Sequence, residues 1–204
     1  DGDAVFFVAD KPKVAYDAMG RFRLHFGKKL NLINPDDHAV LWVVDFPMFE
    51  YSEEEGRYMS MHHPFTMPNP EDLDKMETDK AHCRSIAYDI VYNGTELGGG
   101  SVRIHRGDIQ ERVFKALGLS EEDIQKKFGF LVNAFRYGTP PHAGLAIGLD
   151  RLIALMAKTD SIRDVIAFPK NSGAKCLMTD APAEVTEEQL RELHLKSTAR
   201  LHKV

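Results

Sequence analysis

The sequence feature that most constrains the fold is the dipeptide Asn93-Gly94, which stands between two strand-like runs. Asn-Gly is a preferred two-residue connection of a β-hairpin because both positions adopt a positive φ. Ile86–Tyr92 precedes the turn, and Thr95–Leu97 begins the return strand. The middle of the chain is therefore predicted to be a pair of antiparallel strands.

A second hairpin is predicted between Val40–Phe49 and Tyr58–Phe65, joined by an acidic loop that contains a glycine. Val14–Leu30 has the spacing of a helix, and Ser120 and Thr186 are typical first residues of two more. Strands paired in hairpins, with helices elsewhere, are typical of the α+β class. We therefore predict an antiparallel β-sheet flanked by helices, and a further short strand in the apolar run of residues 4–9.

Composition narrows the class of protein further. The 204 residues, 43% of them hydrophobic, fit one soluble domain with at most a minor subdomain. A net charge of −5 excludes a basic footprint over the whole chain, so any RNA contact must be local. The two cysteines form no metal-binding spacing, no run is long enough to cross a membrane, and the cytoplasm is the expected location. Because the chain starts without Met and with a strand-like run, we expect a piece of a longer protein.

The segment Thr139–Arg151 predicts a strand that leads directly into a helix. Its glycine-punctuated apolar run ends at Asp150-Arg151, after which apolar residues follow at helical spacing. Unpaired N–H groups and the helix dipole favour an anion at such a helix start, and an arginine there adds charge. The segment alone is equally compatible with a nucleotide contact and with a core strand that feeds a core helix.

Two carboxylates are expected on one face of the central hairpin. A two-residue turn pairs Val91 with Glu96 and Asp89 with Gly98, so Asp89 and Glu96 become diagonal neighbours. A divalent cation bound to phosphate oxygens would relieve their repulsion. The same pattern is also expected of an ordinary solvent-facing hairpin, which geometry alone favours.

The glycine run at residues 98–100 and the pair His62-His63 are also ambiguous. Glycines within a strand favour a bulge or a ligand against the backbone, although a plain loop remains an alternative. Strict alternation would place Arg103 and Glu96 on opposite faces, so a shared site requires that bulge. Adjacent strand residues face opposite ways, so at most one of the two histidines would face a site. A zinc site is not expected, because no cysteine or second acidic partner lies nearby in the sequence.

Several longer segments together resemble one family, bacterial-type aspartyl-tRNA synthetase, a class II enzyme. The resemblance covers essentially the whole chain, and its last segment matches the third class-defining motif. The matching segments are, in order, Phe46–Phe49, Met61–Thr66, Tyr88-Asp89, Asn93–His105, Phe128–Phe130, Tyr137–Arg151 and Arg163–Lys170.

The resemblance implies the domain organisation. Residues 1–35 would be the end of the domain inserted into the bacterial catalytic core, followed by the return to that core. Residues 36–180 would form the C-terminal part of the class II catalytic core, including its third motif. Residues 181–204 would form a C-terminal helical extension.

The resemblance also implies the reaction. Family members use ATP to activate L-aspartate as aspartyl-adenylate and transfer it to the 3′ end of tRNA(Asp), with Mg²⁺ assisting. The parent protein would be a cytoplasmic homodimer with no membrane contact. In-line attack of a carboxylate on the α-phosphate needs positioning and charge neutralisation rather than a protein nucleophile.

Site residues follow from the same match, position by position. Arg103 and Arg151 would be the catalytic arginines, with Arg103 pairing with the aspartate side chain and Arg151 near the terminal phosphates and adenine. Other family positions fall on His62, Ser101 and Gly99 for L-aspartate, Asp89 and Glu96 for Mg²⁺, and Glu96, Gly148, Leu149, Asp150 and Arg151 for ATP.

The chain departs from the family pattern in what it lacks. No segment matches the first motif, which builds the dimer interface, or the second, which carries the α-phosphate arginine. The anticodon-binding barrel is also missing. We therefore expect little or no synthetase activity from these 204 residues alone. Two alternatives remain: a non-catalytic paralogue that binds a small ligand or RNA, and an aspartate-activating paralogue that forms an amide.

Overall fold

The computed structural model describes residues 2–198. The strands are β1 (Val40–Val44), β2 (Phe49–Ser52), β3 (Arg57–Ser60), β4 (Ala87–Tyr92), β5 (Thr95–Val102) and β6 (Ala143–Ile147). The helices are α1 (Pro12–Lys29), α2 (Lys75–Thr78), α3 (Gly107–Ala116), α4 (Glu121–Phe135), α5 (Leu149–Met156) and α6 (Glu187–Glu192). Among the described residues, no helix is long and apolar enough to cross a membrane.

The main sheet has four strands in the order β1-β4-β5-β6. The pairs β1–β4 and β4–β5 are antiparallel, and β4 and β5 are joined by the predicted Asn93-Gly94 turn. Both turn residues have a positive φ, 47° at Asn93 and 79° at Gly94, as such a turn requires. The predicted α+β class with an antiparallel sheet is confirmed.

A β-bulge interrupts the β4–β5 register three residues after the turn. Val91 pairs with Glu96 as predicted, but Ile90 pairs with Gly98, which leaves Leu97 as the extra residue. Asp89 therefore lies opposite Gly99 instead of the predicted Gly98. Because an extra residue reverses the alternation beyond it, the bulge brings later β5 residues onto the face of Glu96.

The hydrophobic core lies between the β2–β3 hairpin, the segment of residues 66–86 and helix α3. Its fully buried side chains include Met48, Met76, Cys83, Ile104 and Val113. A second apolar cluster joins Phe65 to helices α3 and α4, which follow β5 in the chain. Phe114 of α3 stacks on Phe128 of α4 at 5.1 Å, and Phe65 meets both rings edge-on.

A buried carboxylate fastens the segment of residues 66–86. The Asp72 side chain is 2% exposed and accepts hydrogen bonds from Arg84 Nε at 2.6 Å and Lys75 Nζ at 2.7 Å. It also accepts the Arg84 backbone N–H at 3.0 Å. These hydrogen bonds from Arg84 and Lys75 hold the pKa of Asp72 well below its usual range. We refer to Asp72, Arg84 and Lys75 as the Asp72 cluster.

Three strand predictions need correction. Residues 4–9 form no strand; Phe6 instead stacks on Phe22 and Phe26 of α1, at 5.4 and 5.1 Å. The predicted strand over residues 40–49 is two strands, β1 and β2, and the break contains Pro47, which has no N–H for a regular ladder. The strand predicted over Tyr58–Phe65 ends at Ser60, so His62 and His63 lie after the strand in irregular backbone.

The predictions of helices α1, α4 and α6 agree with the structure, whereas a capping-box start at Asp108 and Glu111, which the sequence also suggests, is wrong because α3 begins at Gly107 after Arg106 without a side-chain cap. Helix α1 spans nearly the predicted residues, and Ser120 caps α4 by accepting the Asp123 N–H at 3.1 Å. Thr186 and Gln189 form the capping box that begins α6. Residues 199–204 of the predicted C-terminal extension lie outside the described residues.

The chain divides into two compact units, Asp1–Ala146 and Ile147–Val204. The first unit contains helices α1–α4, strands β1–β5 and most of β6, and the second contains α5 and α6. The boundaries predicted at residues 35/36 and 180/181 differ from this division and stay a prediction.

Candidate active site

One face of the β4–β5 hairpin collects four of the predicted site residues. Asp89 and Gly99 are directly paired, and Glu96 pairs with Val91, which lies two residues from Asp89. Ser101 pairs with Ala87 on the same side. Residues that pair across antiparallel strands share a face, so the predicted common face of Asp89 and Glu96 is confirmed with a shifted register.

Gly99 leaves the space that the Asp89 carboxylate occupies. A Cβ atom at position 99 would fall within 3.0 Å of Asp89 Oδ1, closer than real Cβ atoms approach. Gly100 is restricted on the opposite face, where a Cβ would meet the Gly144 carbonyl oxygen of β6 and the ring of Tyr88. Gly99 and Gly100 are therefore required by close packing on the two faces, and the glycine run lies within β5 instead of forming a loop.

Arg103 follows β5 and meets the loop that carries the histidine pair. Its backbone N–H donates to the His142 carbonyl at 2.9 Å, and it forms an isolated bridge with Thr66. Its Nη1 lies 3.3 Å from His63 Nδ1. Side chains alternate between the two faces, so counting on from the bulge gives Arg103 the same face as Gly99 and Ser101. The sequence analysis required this arrangement for Arg103 to share a site with Glu96.

The contacts of His63 define its protonation state. Its Nδ1 lies 3.2 Å from the Phe65 backbone N–H and 3.3 Å from Arg103 Nη1, both of which can only donate. Nδ1 must therefore be an acceptor, so the ring is neutral with its proton on Nε2. Partial burial lowers the pKa of His63 below 6.5, and the charges of Arg103 and His62 lower it further.

His62 occupies a different position from its neighbour. Its ring is exposed and meets Phe46 edge-on, with 4.9 Å between the ring centres. It is therefore His63 that contacts Arg103 in the structure. A direct contact between His62 and aspartate stays a prediction. The strand alternation used in the sequence analysis does not apply here, because neither residue lies in a strand.

Ser101 presents a buried hydroxyl that lacks a partner. The residue is 2% exposed, and its Oγ makes no hydrogen bond with the described part of the chain. A buried hydroxyl without a partner is unfavourable, and such groups call for an explanation, for example a bound polar ligand. This observation is consistent with the predicted place of Ser101 in a ligand pocket.

The segment Gly148–Arg151 forms the start of α5, as predicted. Strand β6 ends at Ile147, Gly148 is the N-cap residue, and the helix begins at Leu149. Gly148 has no side chain to accept an N–H, so the first backbone amides receive no side-chain cap. Arg151 is exposed in the first turn. Backbone donors and a cation at a helix start suit an anionic group.

The carboxylates of the hairpin face fit a magnesium ion that is shared with phosphate. Among the described residues, no three His, Cys, Asp or Glu side chains are grouped as a complete metal site. Mg²⁺ does not need such a group, because it is usually held by one or two carboxylates together with substrate phosphates and water. Asp89 is half-buried and Glu96 is exposed on the same face, which agrees with that mode of binding.

Two features of the site were missed in the sequence. The first is His63 as the neighbour of Arg103, and the second is the position of the bulge at Leu97. The glycine run indicated that a bulge was present but not where. His63-Pro64 could have indicated a chain reversal, since a residue before proline is restricted and proline disfavours a regular strand.

Comparison with known proteins identifies the family. The model of the class II tRNA synthetases (D, K and N) matches residues 11–172. The chain therefore belongs to the class II tRNA synthetase family.

Curated relatives are similar over nearly all of the chain. The aspartate–tRNA(Asp/Asn) ligase of Lachnoclostridium phytofermentans is 59% identical over 95% of the chain and 32% of that protein. The aspartate–tRNA ligase of Ruminiclostridium cellulolyticum is 56% identical over 95% of the chain and 33% of that protein. The chain thus spans about a third of the length of these relatives.

Solved structures of synthetases also match. The aspartyl-tRNA synthetase of Entamoeba histolytica matches with a TM-score of 0.49 and 23% identity, over 84% of this chain and 29% of that one. The asparaginyl-tRNA synthetase of Pyrococcus horikoshii matches with a TM-score of 0.47 and 22% identity, over 65% of this chain and 26% of that one.

Proposed function

We propose that this chain is the C-terminal part of the catalytic core of an aspartate–tRNA ligase. The protein would use ATP to activate L-aspartate and transfer the aspartyl group to tRNA. The observation that carries this proposal is the hairpin face, where the bulge places Asp89, Glu96 and Ser101 together and gives Arg103 the same parity. Relatives of 56–59% identity that are named for this activity support it.

Arg103 would recognise the side-chain carboxylate of aspartate. A guanidinium binds a carboxylate through two parallel hydrogen bonds, a geometry that an ammonium cannot reproduce. The neutral His63 ring orients Arg103 without adding a competing charge, since its Nδ1 accepts from Nη1. Gly99 and Ser101 would line the same pocket, with the orphan Ser101 hydroxyl available to a polar group of the substrate. His62 would be a further aspartate contact.

Asp89 and Glu96 would hold Mg²⁺ together with phosphate oxygens of ATP. The bound ion would neutralise phosphate charge during attack on the α-phosphorus. At the start of α5, the segment Gly148–Arg151 would bind ATP through backbone N–H groups and the Arg151 guanidinium. We propose Arg103 and Arg151 as the catalytic arginines because one would position the attacking amino acid and the other the nucleotide.

The remaining parts of the proposal come from the family. The whole protein would be a homodimer that acts in the cytoplasm on tRNA(Asp). The relatives include proteins named for tRNA(Asp) alone and for both tRNA(Asp) and tRNA(Asn), so charging of the second tRNA is to be measured.

ATP–pyrophosphate exchange in the full-length protein that carries this chain tests the proposal. L-Aspartate, L-asparagine and L-lysine are the informative substrates, because the matching family model covers all three specificities. We expect exchange with L-aspartate and at least about 100-fold less with the other two, since neither presents a carboxylate to Arg103. Preference for either alternative, or no exchange with any, would contradict the proposal.

The 204-residue chain is expected to show little or no exchange by itself. In the family, the arginine that binds the α-phosphate belongs to the second motif, and no segment of these residues matches that motif. Turnover comparable to that of the full-length protein would show that this part of the proposal is wrong.

A further inference from the structure

Tyr88 lies on the face of the main sheet opposite the candidate active site. It directly precedes Asp89 in β4, and neighbouring strand residues point to opposite faces. Tyr88 pairs with Gly100 of β5, whereas Asp89 pairs with Gly99. The proposed metal site uses the Asp89 carboxylate and makes no use of the half-buried Tyr88 side chain.

The Tyr88 side chain reaches past β5 to β6. Its hydroxyl donates to the Gly144 carbonyl of β6 at 3.0 Å, although β5 lies between β4 and β6 in the sheet. Gly100 makes this reach possible, because a Cβ there would come closer than 3.0 Å to both the Gly144 oxygen and the Tyr88 ring. Trp42 of β1 meets the same ring edge-on, with 6.1 Å between the ring centres. Tyr88 therefore links β4 to a strand that is not its neighbour.

The residue before β6 in turn holds the backbone of Arg103. The His142 carbonyl, two residues before Gly144, accepts the Arg103 N–H at 2.9 Å. On the other side of the chain, the Ile104 N–H donates to the Phe65 carbonyl at 2.9 Å. The backbone at Arg103 is therefore held from two sides, and β6 supplies one of them.

Hydrogen bonds matter more than apolar packing for the position of β6. All five of its residues are exposed in the part of the chain that the structure describes, so little apolar burial fixes the strand. A tyrosine brings its hydroxyl on a rigid ring with only two side-chain torsions. Gly100 and Trp42 confine that ring, so its hydroxyl is fixed where the Gly144 carbonyl lies.

We propose that Tyr88 is a positioning residue for the aspartate site. Its hydroxyl fixes β6, and the His142 carbonyl before β6 fixes the backbone of Arg103. The inference rests on the proposed function, in which Arg103 recognises the side-chain carboxylate of L-aspartate. Tyr88 acts from the opposite face of the sheet. Because Arg103 is already in place when aspartate arrives, less ordering is needed on binding.

ATP–pyrophosphate exchange in the full-length Tyr88→Phe variant tests the proposal at saturating ATP. The substitution removes the hydroxyl and keeps the ring. We expect KM for L-aspartate to rise about fivefold, the effect of roughly one hydrogen bond. The value of kcat should stay close to that of the wild type, because an interaction made equally in the ground state and the transition state affects KM alone.

Tyr92→Phe is the matched control. Tyr92 lies on the same strand and the same face as Tyr88, and its hydroxyl bonds to the His38 ring instead of β6. KM for L-aspartate should be unchanged in this variant. An unchanged KM in Tyr88→Phe, or an equal rise in both variants, would overturn the proposal.

Residue-resolved hydrogen exchange in the same full-length variants locates the effect. The Arg103 amide faces His142, and the Ile104 amide faces Phe65, so the two provide an internal comparison. We expect Tyr88→Phe to accelerate exchange at Arg103 by about fivefold and to leave Ile104 unchanged. Equal acceleration at both amides would indicate general loosening of the fold and would overturn the proposal.

The two experiments distinguish failure of this inference from failure of the proposed function. A wild-type protein without L-aspartate exchange would contradict the proposed function, and the aspartate role of Tyr88 would fall with it. Normal wild-type exchange with an unchanged KM in Tyr88→Phe would overturn the positioning role alone. The hydrogen-exchange comparison shows in either case whether Tyr88 fixes the backbone of Arg103.

Discussion

Asp72 and Asp89 are two carboxylates of the same compact unit with opposite surroundings. Asp72 is 2% exposed and receives hydrogen bonds from both cations of the Asp72 cluster. Asp89 is half-buried on the β4–β5 face, directly over Gly99, and makes no ion pair within the described residues. The first carboxylate fastens a loop to the core. The second lies over a glycine that leaves it room.

The difference leads us to propose that stability and ligand binding depend on separate carboxylates in this chain. Removing one partner from a buried ion pair is strongly destabilising, because it leaves a buried charge without compensation. A carboxylate that is positioned by backbone packing, without a cation, is available to a metal ion. Substitutions in the Asp72 cluster should therefore change stability first, and substitutions on the β4–β5 face should change activity first.

Replacing Arg103 by lysine should have the largest effect on activity. Arg103→Lys keeps the charge but loses the two-pronged hydrogen bonding, so we expect kcat/KM for L-aspartate to fall by about 100-fold or more in the full-length protein. Arg106→Lys is the matched control, because Arg106 is exposed and pairs with Asp108 two residues along the chain. Near-normal exchange in the Arg103→Lys variant would show that Arg103 does not recognise the aspartate side chain.

Gly99→Ala tests whether backbone packing positions Asp89. The new methyl group would displace the Asp89 carboxylate, and we expect a loss of roughly 10- to 100-fold in kcat/KM for ATP. Gly107→Ala is the control, since a Cβ there meets nothing within 4 Å. If both variants retain full exchange, the position of Asp89 does not matter for the reaction.

Asp72→Asn should lower the thermal stability of the protein and should not change the chemical step directly. The change removes the charge that holds Arg84 and Lys75, so we expect Tm to fall by roughly 5 °C or more. Asp74→Asn, at an exposed position that makes no side-chain cap, should leave Tm nearly unchanged. Thermal unfolding of the 204-residue chain measures both. An equal loss of Tm in the two variants would contradict the proposed role of Asp72 in stabilising the fold.

The Asp72 cluster also predicts an acid dependence. The folded-state pKa of Asp72 lies below its usual value of 3.8, so its contribution to stability is complete above about pH 4. That contribution is lost as the pH falls from 3.8 through the lower folded-state pKa. The Tm difference between the wild type and Asp72→Asn should therefore shrink below pH 4. A difference that stays constant to pH 2 would show that the ionised form is not responsible.

The smallest effect is expected at His63. Its folded-state pKa lies below 6.5, so the neutral ring persists in the folded chain at pH values where a free histidine is half protonated. Nitrogen NMR should show an unprotonated Nδ1 at neutral pH and a titration midpoint below 6.5. Arg103→Lys should change that midpoint. A protonated Nδ1 at neutral pH would exclude the contact with Arg103 as described.

Local signals in the sequence predicted much of this fold. The Asn93-Gly94 turn, the helical spacing of α1 and the Thr186 capping box each depend on residues a few positions apart, and all were confirmed. The predicted strand over residues 4–9 was wrong because its Phe6 is satisfied by stacking on α1, a contact that an apolar run does not reveal.

The site was only partly predictable because it depends on register and on a chain reversal. The shared face of Asp89 and Glu96 follows from the turn alone, and it was confirmed. The bulge at Leu97 and the contact of His63 with Arg103 arise from tertiary packing, which no local pattern encodes. The family resemblance supplied the chemistry, and the structure supplied the packing reason for Gly99.

ATP–pyrophosphate exchange with L-aspartate in the full-length Asp89→Asn variant is the most direct test of whether the β4–β5 face holds the metal ion of an aspartate-activating site. We expect exchange at saturating Mg²⁺ to fall by about 100-fold or more, because the proposed metal ligand beside the phosphates is lost, while Tm stays close to that of the wild type. Exchange near the wild-type rate, or a loss that merely follows a large fall in Tm, would show that Asp89 is not a metal ligand in the reaction.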